Sequence, residues 1–126
     1  MDHEPIIAGT PADLLAISRK DEATATIVNA GGEIDMSTAP LLSGALTELE
    51  SAEERPARVV LDLGDVTFMS SDGLKVLNLH ERRFAELGIG FVVVAAQRAV
   101  VHILEITGMS DVLTVVPDVE RALALR

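Results

Sequence analysis

Two hydroxyls, a carboxylate and a glycine stand together in one short stretch of the chain, Ser70-Ser71-Asp72-Gly73. The stretch joins an apolar run, predicted to be a buried strand, to a run with helical periodicity. Binding sites tend to form at this strand-to-helix edge of a parallel sheet. A purely structural interpretation is also open: Ser71 caps the helix, Asp72 complements its positive end and Gly73 permits close packing.

Patterns typical of catalysis or metal binding do not occur in the sequence. It contains no Gly-Lys-Ser/Thr phosphate loop, no Gly-x-Gly-x-x-Gly after a strand and no Gly-x-Ser-x-Gly elbow. The histidines, His3, His80 and His102, lack metal-ligand spacing. His80 falls on the apolar stripe of a predicted helix and is interpreted as a hydrogen-bonded core or rim residue. The glutamates of segment 48–54, Glu50 among them, are interpreted as a solvated helix end.

The apolar pattern predicts the element order β-β-α-β-α-β-α-β-α. Short runs at 14–20 and 23–30 predict a hairpin, and Gly31-Gly32 is expected to end its second strand. Continuous apolar runs predict strands covered on both faces at 59–63 and 91–95. Gly64-Asp65 is expected to turn the chain after the first of these, and a last strand is predicted at 112–116.

Helical spacing of apolar residues predicts the segments between the strands. Ser37 is the expected N-cap of the first helix, and Pro40 is compatible with its first turn. Gly88 and Gly108 are the expected stops of the second and third helices. A short terminal helix is expected to turn Val119, Ala122 and Leu123 inward. The pattern predicts one α/β domain over residues 14–126, a mixed sheet of four to five strands with helices packed mainly on one side, preceded by an N-terminal arm over 1–13.

Composition excludes several classes of function. The chain has 126 residues, with 10 Lys+Arg against 20 Asp+Glu and a formal net charge of −10, so it repels nucleic acid and anionic lipid. It has no cysteine, which removes disulfides and zinc–thiolate sites. Neither a membrane-spanning run nor a secretory signal is recognisable. We therefore expect a cytoplasmic protein that needs no metal or cofactor, does not insert into membranes and does not bind nucleic acid.

Several short motifs, taken in order, resemble one known family. Gly-Glu-Ile-Asp at residues 32–35 is followed by Ser-Thr-Ala at a helix start, by Val-Leu-Asp-Leu at 60–63 and by Phe-Met-Ser-Ser-Asp-Gly-Leu at 68–74. This series is similar to the STAS domain of anti-sigma factor antagonists over nearly the whole chain, from about Leu14 to Ala124. Gly108 to Leu113 resembles the segment that precedes the last strand of that family.

The resemblance implies a phosphorylation site and a partner surface. In the family, the hydroxyl two positions before the glycine is phosphorylated by a kinase that is also the anti-sigma factor. That position is Ser71, with Ser70 as the second candidate; here Ser70 replaces the usual Asp, and Asp72 the usual Ser/Thr. The partner-binding residues implied are Glu33, Asp35, Ser70, Ser71, Asp72 and Gly73. Glu33 and Asp35 have a structural interpretation too, as a solvated strand end and a helix start.

The implied function is that of a binding module and not of an enzyme. The unphosphorylated chain would bind an anti-sigma factor serine kinase and release the sigma factor, and a phosphatase would be a further partner. Because of the replacements at positions 70 and 72, a STAS subunit of a lipid-transport or signalling assembly without phosphorylation remains an alternative. A small-molecule-binding or catalytic α/β domain is a third class, which no phosphate loop or catalytic motif supports.

Overall fold

A computed structural model describes residues 14–126 of the chain, and the predicted arm at 1–13 lies outside the described residues. The strands and helices follow one another in this order: β1 (Leu15–Asp21), β2 (Ala25–Ile34), α1 (Ala39–Glu50), β3 (Arg58–Met69), α2 (Ser71–Glu86), β4 (Gly90–Val94), α3 (Arg98–Ile106), α4 (Met109–Val112), β5 (Thr114–Val116) and α5 (Val119–Ala124). None of these helices is both long and apolar enough to span a membrane.

The strands form one five-stranded mixed sheet in the order β1-β2-β3-β4-β5. β1 and β2 are antiparallel, as the predicted hairpin requires, and each later strand lies parallel to its neighbour. In the central strand β3, both Val60 and Leu61 are fully buried, although neighbouring side chains point to opposite faces of the sheet. The continuous apolar runs at 59–63 and 91–95 therefore mark central strands, and the predicted α/β class is confirmed.

The two faces of the sheet carry separate apolar clusters. On one face, Leu61 and Val93 pack with buried side chains of α1 and α2, such as Leu46 and Phe84. The other face is covered by α5 and its buried residues are Ile27, Val60, Val92, Val94 and Ala122. The helices thus lie mainly on one side as expected, and α5 is on the opposite side. Of the residues expected to face inward from α5, Leu123 is exposed.

Two predicted strand ends were wrong for a common reason. β2 continues through Gly31-Gly32 to Ile34, and β3 continues through Gly64-Asp65 to Met69. The two strands shift register together, between Asn29 and Gly31 and again between Gly32 and Glu33, so pairing resumes after each irregularity. Gly32 has a φ of +118°, and a Cβ there would lie 2.1 Å from the Leu14 carbonyl oxygen. Glycine at this position permits a bulge within the strand and does not end it.

The last predicted strand is shorter than expected. Residues 109–112 form the single turn α4, and β5 covers only Thr114–Val116. Val112, the first residue of the predicted strand, belongs instead to α4 and is 51% exposed. The predicted helix stops were right: Gly88 and Gly108 have φ angles of +74° and +79°, the left-handed conformation that ends helices.

Arg58 holds the C-terminal end of α5 against the sheet. Its Nη1 donates to the carbonyl of Ala122 at 2.8 Å, and its Nη2 donates to that of Leu125 at 2.6 Å. Cations stabilise the carbonyl end of a helix, and a helix of six residues is not stable without such tertiary contacts. We expect Arg58→Ala to lower the free energy of unfolding by about 1–2 kcal/mol and to remove hydrogen-exchange protection in α5.

The matched control is Arg82→Ala, which removes an exposed arginine from α2. Urea denaturation should place this control within about 0.5 kcal/mol of wild type. Equal stability of the two variants, with α5 still protected from exchange, would mean that Arg58 does not anchor the helix.

Candidate functional site

The turns that follow β2 and β3 lie side by side at one edge of the sheet. Glu33 pairs with Phe68 and Ile34 pairs with Met69 at the carboxyl ends of the two parallel strands. The Ser70 N–H then donates to the Ile34 carbonyl at 2.8 Å, which joins the two turns directly. The structure therefore brings together the two segments on which the predicted site residues lie. We call this edge, formed by residues 33–38 and 68–73, the β2–β3 edge.

Asp35 organises the first of these turns. Its Oδ1 accepts hydrogen bonds from the Ser37 hydroxyl at 2.7 Å, the Ser37 N–H at 2.9 Å and the Thr38 N–H at 3.1 Å. The N-cap of α1 is Thr38 and not Ser37 as predicted, because the Asp35 carboxylate engages Ser37 in a turn before the helix begins. The Thr38 hydroxyl instead donates to the Glu33 carbonyl at 2.8 Å. Asp35 itself lies four residues before Ala39, the first residue of α1, so it organises the turn that leads into the helix and does not start the helix.

These hydrogen-bond donors stabilise the ionised form of the Asp35 carboxyl group. The Ser37 hydroxyl, with further contributions from the N–H groups of Thr38 and Ser37, holds the pKa of Asp35 below its usual value, and partial burial opposes the shift. Asp35 is therefore ionised at neutral pH. Glu33, one residue before Ile34, is exposed on the same edge. The β2–β3 edge presents two carboxylates from its first turn.

The second turn begins α2 one residue earlier than predicted. Ser70, and not Ser71, is the N-cap: its extended backbone places its hydroxyl oxygen 3.2 Å from the Asp72 N–H, from which it accepts a hydrogen bond. Ser71 becomes the first helical residue and is exposed. Within residues 14–126, its hydroxyl takes part in no side-chain hydrogen bond, unlike that of Ser70. The two serines therefore differ in role, with one used for capping and the other turned to solvent.

Gly73 is buried beneath this turn. A Cβ at this position would lie 2.7 Å from Met69 Cγ and 2.8 Å from Ile34 Cγ2. The space that a side chain would need at this position is filled by the protein's own core, which fits the interpretation that Gly73 permits close packing. Glycine here lets α2 pack closely on β2 and β3.

Two exposed apolar side chains on the β2–β3 edge were not singled out from the sequence. Met36, between Asp35 and Ser37, is 77% exposed, and Phe68, two residues before Ser70, is 50% exposed. Phe68 belongs to the Phe-Met-Ser-Ser motif, so the sequence showed an apolar residue at this position. Its exposure could not be predicted, because it depends on where β3 ends. Exposed apolar side chains next to fixed carboxylates are typical of a protein interaction surface.

A second group of polar residues lies in the interior, between α1 and α2. His80 is fully buried; its Nε2 is 2.9 Å from the Ser43 hydroxyl, and its Nδ1 is hydrogen-bonded to the Glu50 carboxylate. Arg83 Nη1 is 3.6 Å from the other oxygen of that carboxylate. The interpretation of His80 as a hydrogen-bonded core histidine is confirmed. The interpretation of Glu50 as part of a solvated helix end was wrong, since it is only 9% exposed. We call Ser43, Glu50, His80 and Arg83 the interhelical cluster.

Comparisons with known proteins agree with this architecture. The family model of the STAS domain matches residues 16–122. The anti-sigma-F factor antagonist RsfA of Mycobacterium tuberculosis is 32% identical over 101 residues, which are 80% of this chain and 79% of RsfA.

Solved structures match in fold over most of the chain. An anti-sigma factor antagonist from Mycobacterium paratuberculosis has a TM-score of 0.81 at 32% identity, covering 88% of this chain and 92% of that one. The Bacillus cell fate determinant SpoIIAA, in its phosphorylated form, has a TM-score of 0.66 at 11% identity, covering 88% of this chain and all of that one. The chain therefore belongs to the STAS domain family, as a relative of the mycobacterial anti-sigma factor antagonists.

Proposed function

We propose that this protein is an anti-sigma factor antagonist that binds an anti-sigma factor through the β2–β3 edge. The relatives at 32% identity carry the name of that function. The observation that carries the proposal for this chain is the hydrogen bond from the Ser70 N–H to the Ile34 carbonyl. It joins the turn bearing Asp35 to the turn bearing Ser71, so that both belong to one surface.

The exposed side chains of this edge define the partner surface that would fit it. Met36 and Phe68 require an apolar recess, since apolar anchors contribute most to affinity when they are fully desolvated. Glu33 and Asp35 require basic groups around that recess, which would steer association and fix the orientation. We therefore expect an anti-sigma factor surface with an apolar centre and a basic rim, and a basic rim also suits the net charge of −10 on this protein.

We propose that binding is regulated by phosphorylation of Ser71, with the anti-sigma factor acting as the serine kinase. Ser71 is exposed at the first position of α2, whereas the Ser70 hydroxyl is used in capping. A phosphate at a helix N-terminus is tolerated by the fold, because N–H groups and the helix dipole favour an anion there. It adds about −1.5 to −2 charges next to Asp72, and a partner that fits the unmodified edge must then desolvate that charge. A phosphatase would restore binding, and the cycle would run in the cytoplasm.

Charge reversal tests the proposed surface. Glu33→Lys changes an exposed side chain of the edge, and Glu120→Lys makes the same change on α5, on the other side of the sheet. In calorimetric titrations with the purified cognate anti-sigma factor, Glu33→Lys should weaken binding about tenfold, or about 1.4 kcal/mol, while Glu120→Lys should bind like wild type.

Two outcomes would contradict the proposal. Absence of binding by the wild-type chain would contradict the proposed function. Equal effects of the two reversals would contradict the assignment of the β2–β3 edge as the binding surface. Incubation with the kinase and ATP, followed by phosphosite mass spectrometry, tests the proposed regulation by phosphorylation. Binding without any label on Ser71 or Ser70 would favour the alternative of a STAS subunit that works without phosphorylation.

A further inference from the structure

The interhelical cluster connects the two helices that begin at the β2–β3 edge. Ser43 and Glu50 belong to α1, and His80 and Arg83 belong to α2. His80 is fully buried, and both of its ring nitrogens have a partner on the opposite helix. The remaining oxygen of the Glu50 carboxylate faces Arg83 at 3.6 Å. Nothing in the proposed binding function uses these residues.

The hydrogen bonds fit one protonation state of His80 best. In the neutral ring with the proton on Nδ1, the Nδ1–H donates to the Glu50 carboxylate, and Nε2 accepts from the Ser43 hydroxyl. Protonation would place a second N–H opposite the Ser43 hydroxyl, which must then turn to accept instead of donate. It would also create a full charge in a side chain that has no exposed surface.

The charges that face the ring act in opposite directions. The Glu50 carboxylate, from α1, favours the imidazolium, and Arg83, from α2 itself, disfavours it. Burial is the largest influence and holds the pKa of His80 below its ordinary value. Arg55, which follows α1, donates to the Glu50 backbone carbonyl at 2.9 Å and leaves the carboxylate to His80 and Arg83.

The order serine, histidine and carboxylate is also that of hydrolytic triads, but the surroundings of Ser43 do not support such chemistry. Ser43 lies at the fifth position of the twelve-residue helix α1. Backbone N–H groups inside a helix are bonded along the helix, so none next to Ser43 can stabilise an oxyanion. The arrangement is suited to holding two helices together.

We propose that the interhelical cluster is a pH-sensitive contact, which holds α1 against α2 while His80 is neutral and stabilises the folded chain less as the pH falls below about 6.5. The sign follows from proton binding. A histidine whose pKa is lower in the folded chain than in the unfolded chain binds more protons when unfolded. Its contribution to stability is complete above the unfolded value of about 6.5 and is lost as the pH falls towards the folded value.

Nearby Glu81 has the opposite effect. Burial raises the pKa of its carboxyl group, so its protonation favours the folded chain as the pH falls. A variant that changes only His80 leaves this contribution in place, and the comparison with wild type therefore isolates the histidine.

The test uses the full chain and two matched variants. His80→Gln removes the buried titrating group, and His102→Gln removes an exposed histidine of α3. Between pH 7 and pH 5, the melting temperatures of wild type and His102→Gln should fall by about 3 °C or more beyond any fall in His80→Gln. The readout is the difference between two pH values for each protein, so a general loss of stability in His80→Gln does not obscure it.

An NMR titration of the His80 ring in the wild-type chain gives the second readout, which needs no substitution. The midpoint of its protonation should lie below pH 6.5, and Glu50→Gln, which keeps the hydrogen bond but removes the negative charge, should move that midpoint to still lower pH. Protonation of His80 above pH 6.5 in the folded chain, or the same pH dependence of melting in all three proteins, would overturn the proposal.

Discussion

Gly73→Val should lower the free energy of unfolding by about 2 kcal/mol, although it replaces a glycine inside a helix. A Cβ at this position would lie 2.7 Å from Met69 Cγ and 2.8 Å from Ile34 Cγ2. The Met69 side chain is flexible, but Ile34 is fully buried in the core, so α2 must move away from the sheet. Urea denaturation followed by circular dichroism measures the loss.

The matched control is Gly44→Val, in the middle of α1, where a Cβ would have no neighbour within 4 Å among residues 14–126. It should change stability by no more than about 0.5 kcal/mol, since valine and glycine differ little in helix propensity. Equal stability of Gly73→Val and wild type would show that the packing beneath the turn can relax. Because the Ile34 carbonyl also bonds to the Ser70 N–H, any change in partner binding by Gly73→Val is interpretable only beside this measurement.

Phosphorylation of Ser71 should weaken binding to the anti-sigma factor about a hundredfold, or about 2.7 kcal/mol. The phosphate would join the Asp72 and Asp35 carboxylates on one surface, and like charges that must be desolvated together in a complex cost several kcal/mol. The fold should be retained, because the phosphate stands at the start of α2, with Lys75 one helical turn further on. Calorimetric titration of the phosphorylated and unmodified chains against the same partner measures the difference.

Substitutions at Ser71 separate charge from the loss of the hydroxyl. Ser71→Ala should bind like wild type, and Ser71→Asp, with less charge than a phosphate, should bind about tenfold more weakly than wild type. Melting curves serve as the control for folding. Equal affinities for all of these proteins would contradict the proposed electrostatic regulation. Phosphate label that persists in Ser71→Ala would reassign the phosphorylation site to Ser70.

The features that were predictable from the sequence are those that depend on local residue patterns. The apolar runs at 59–63 and 91–95 identify central strands wherever they are placed in the chain, and Gly88 ends α2 through its own backbone conformation. The segments of the site were predictable for a similar reason, because the carboxyl ends of adjacent parallel strands meet at one edge. The resemblance assigned residues of both turns to one partner surface, and the structure shows that β2 and β3 are parallel neighbours.

The features that were missed depend on contacts between distant residues. Gly31-Gly32 and Gly64-Asp65 have the composition of turns. The two strands nevertheless stay paired, because their register shifts occur at matching positions along β2 and β3. Glu50 belongs to a charged segment, and it is buried because His80, thirty residues later, meets it from α2. The exchange of roles between Ser70 and Ser71 is a shift of one residue, which is finer than helix boundaries can be predicted from sequence.

Release of a sigma factor is the most direct test of the proposed function. A fluorescently labelled sigma factor is bound to its anti-sigma factor, and the unmodified chain is added while the anisotropy of the label is followed. We expect the anisotropy to fall to that of the unbound sigma factor as the chain reaches saturation, and to remain high when the added chain is phosphorylated on Ser71. A sigma factor that stays bound at saturating concentrations of the unmodified, folded chain would contradict the assignment of this protein as an anti-sigma factor antagonist.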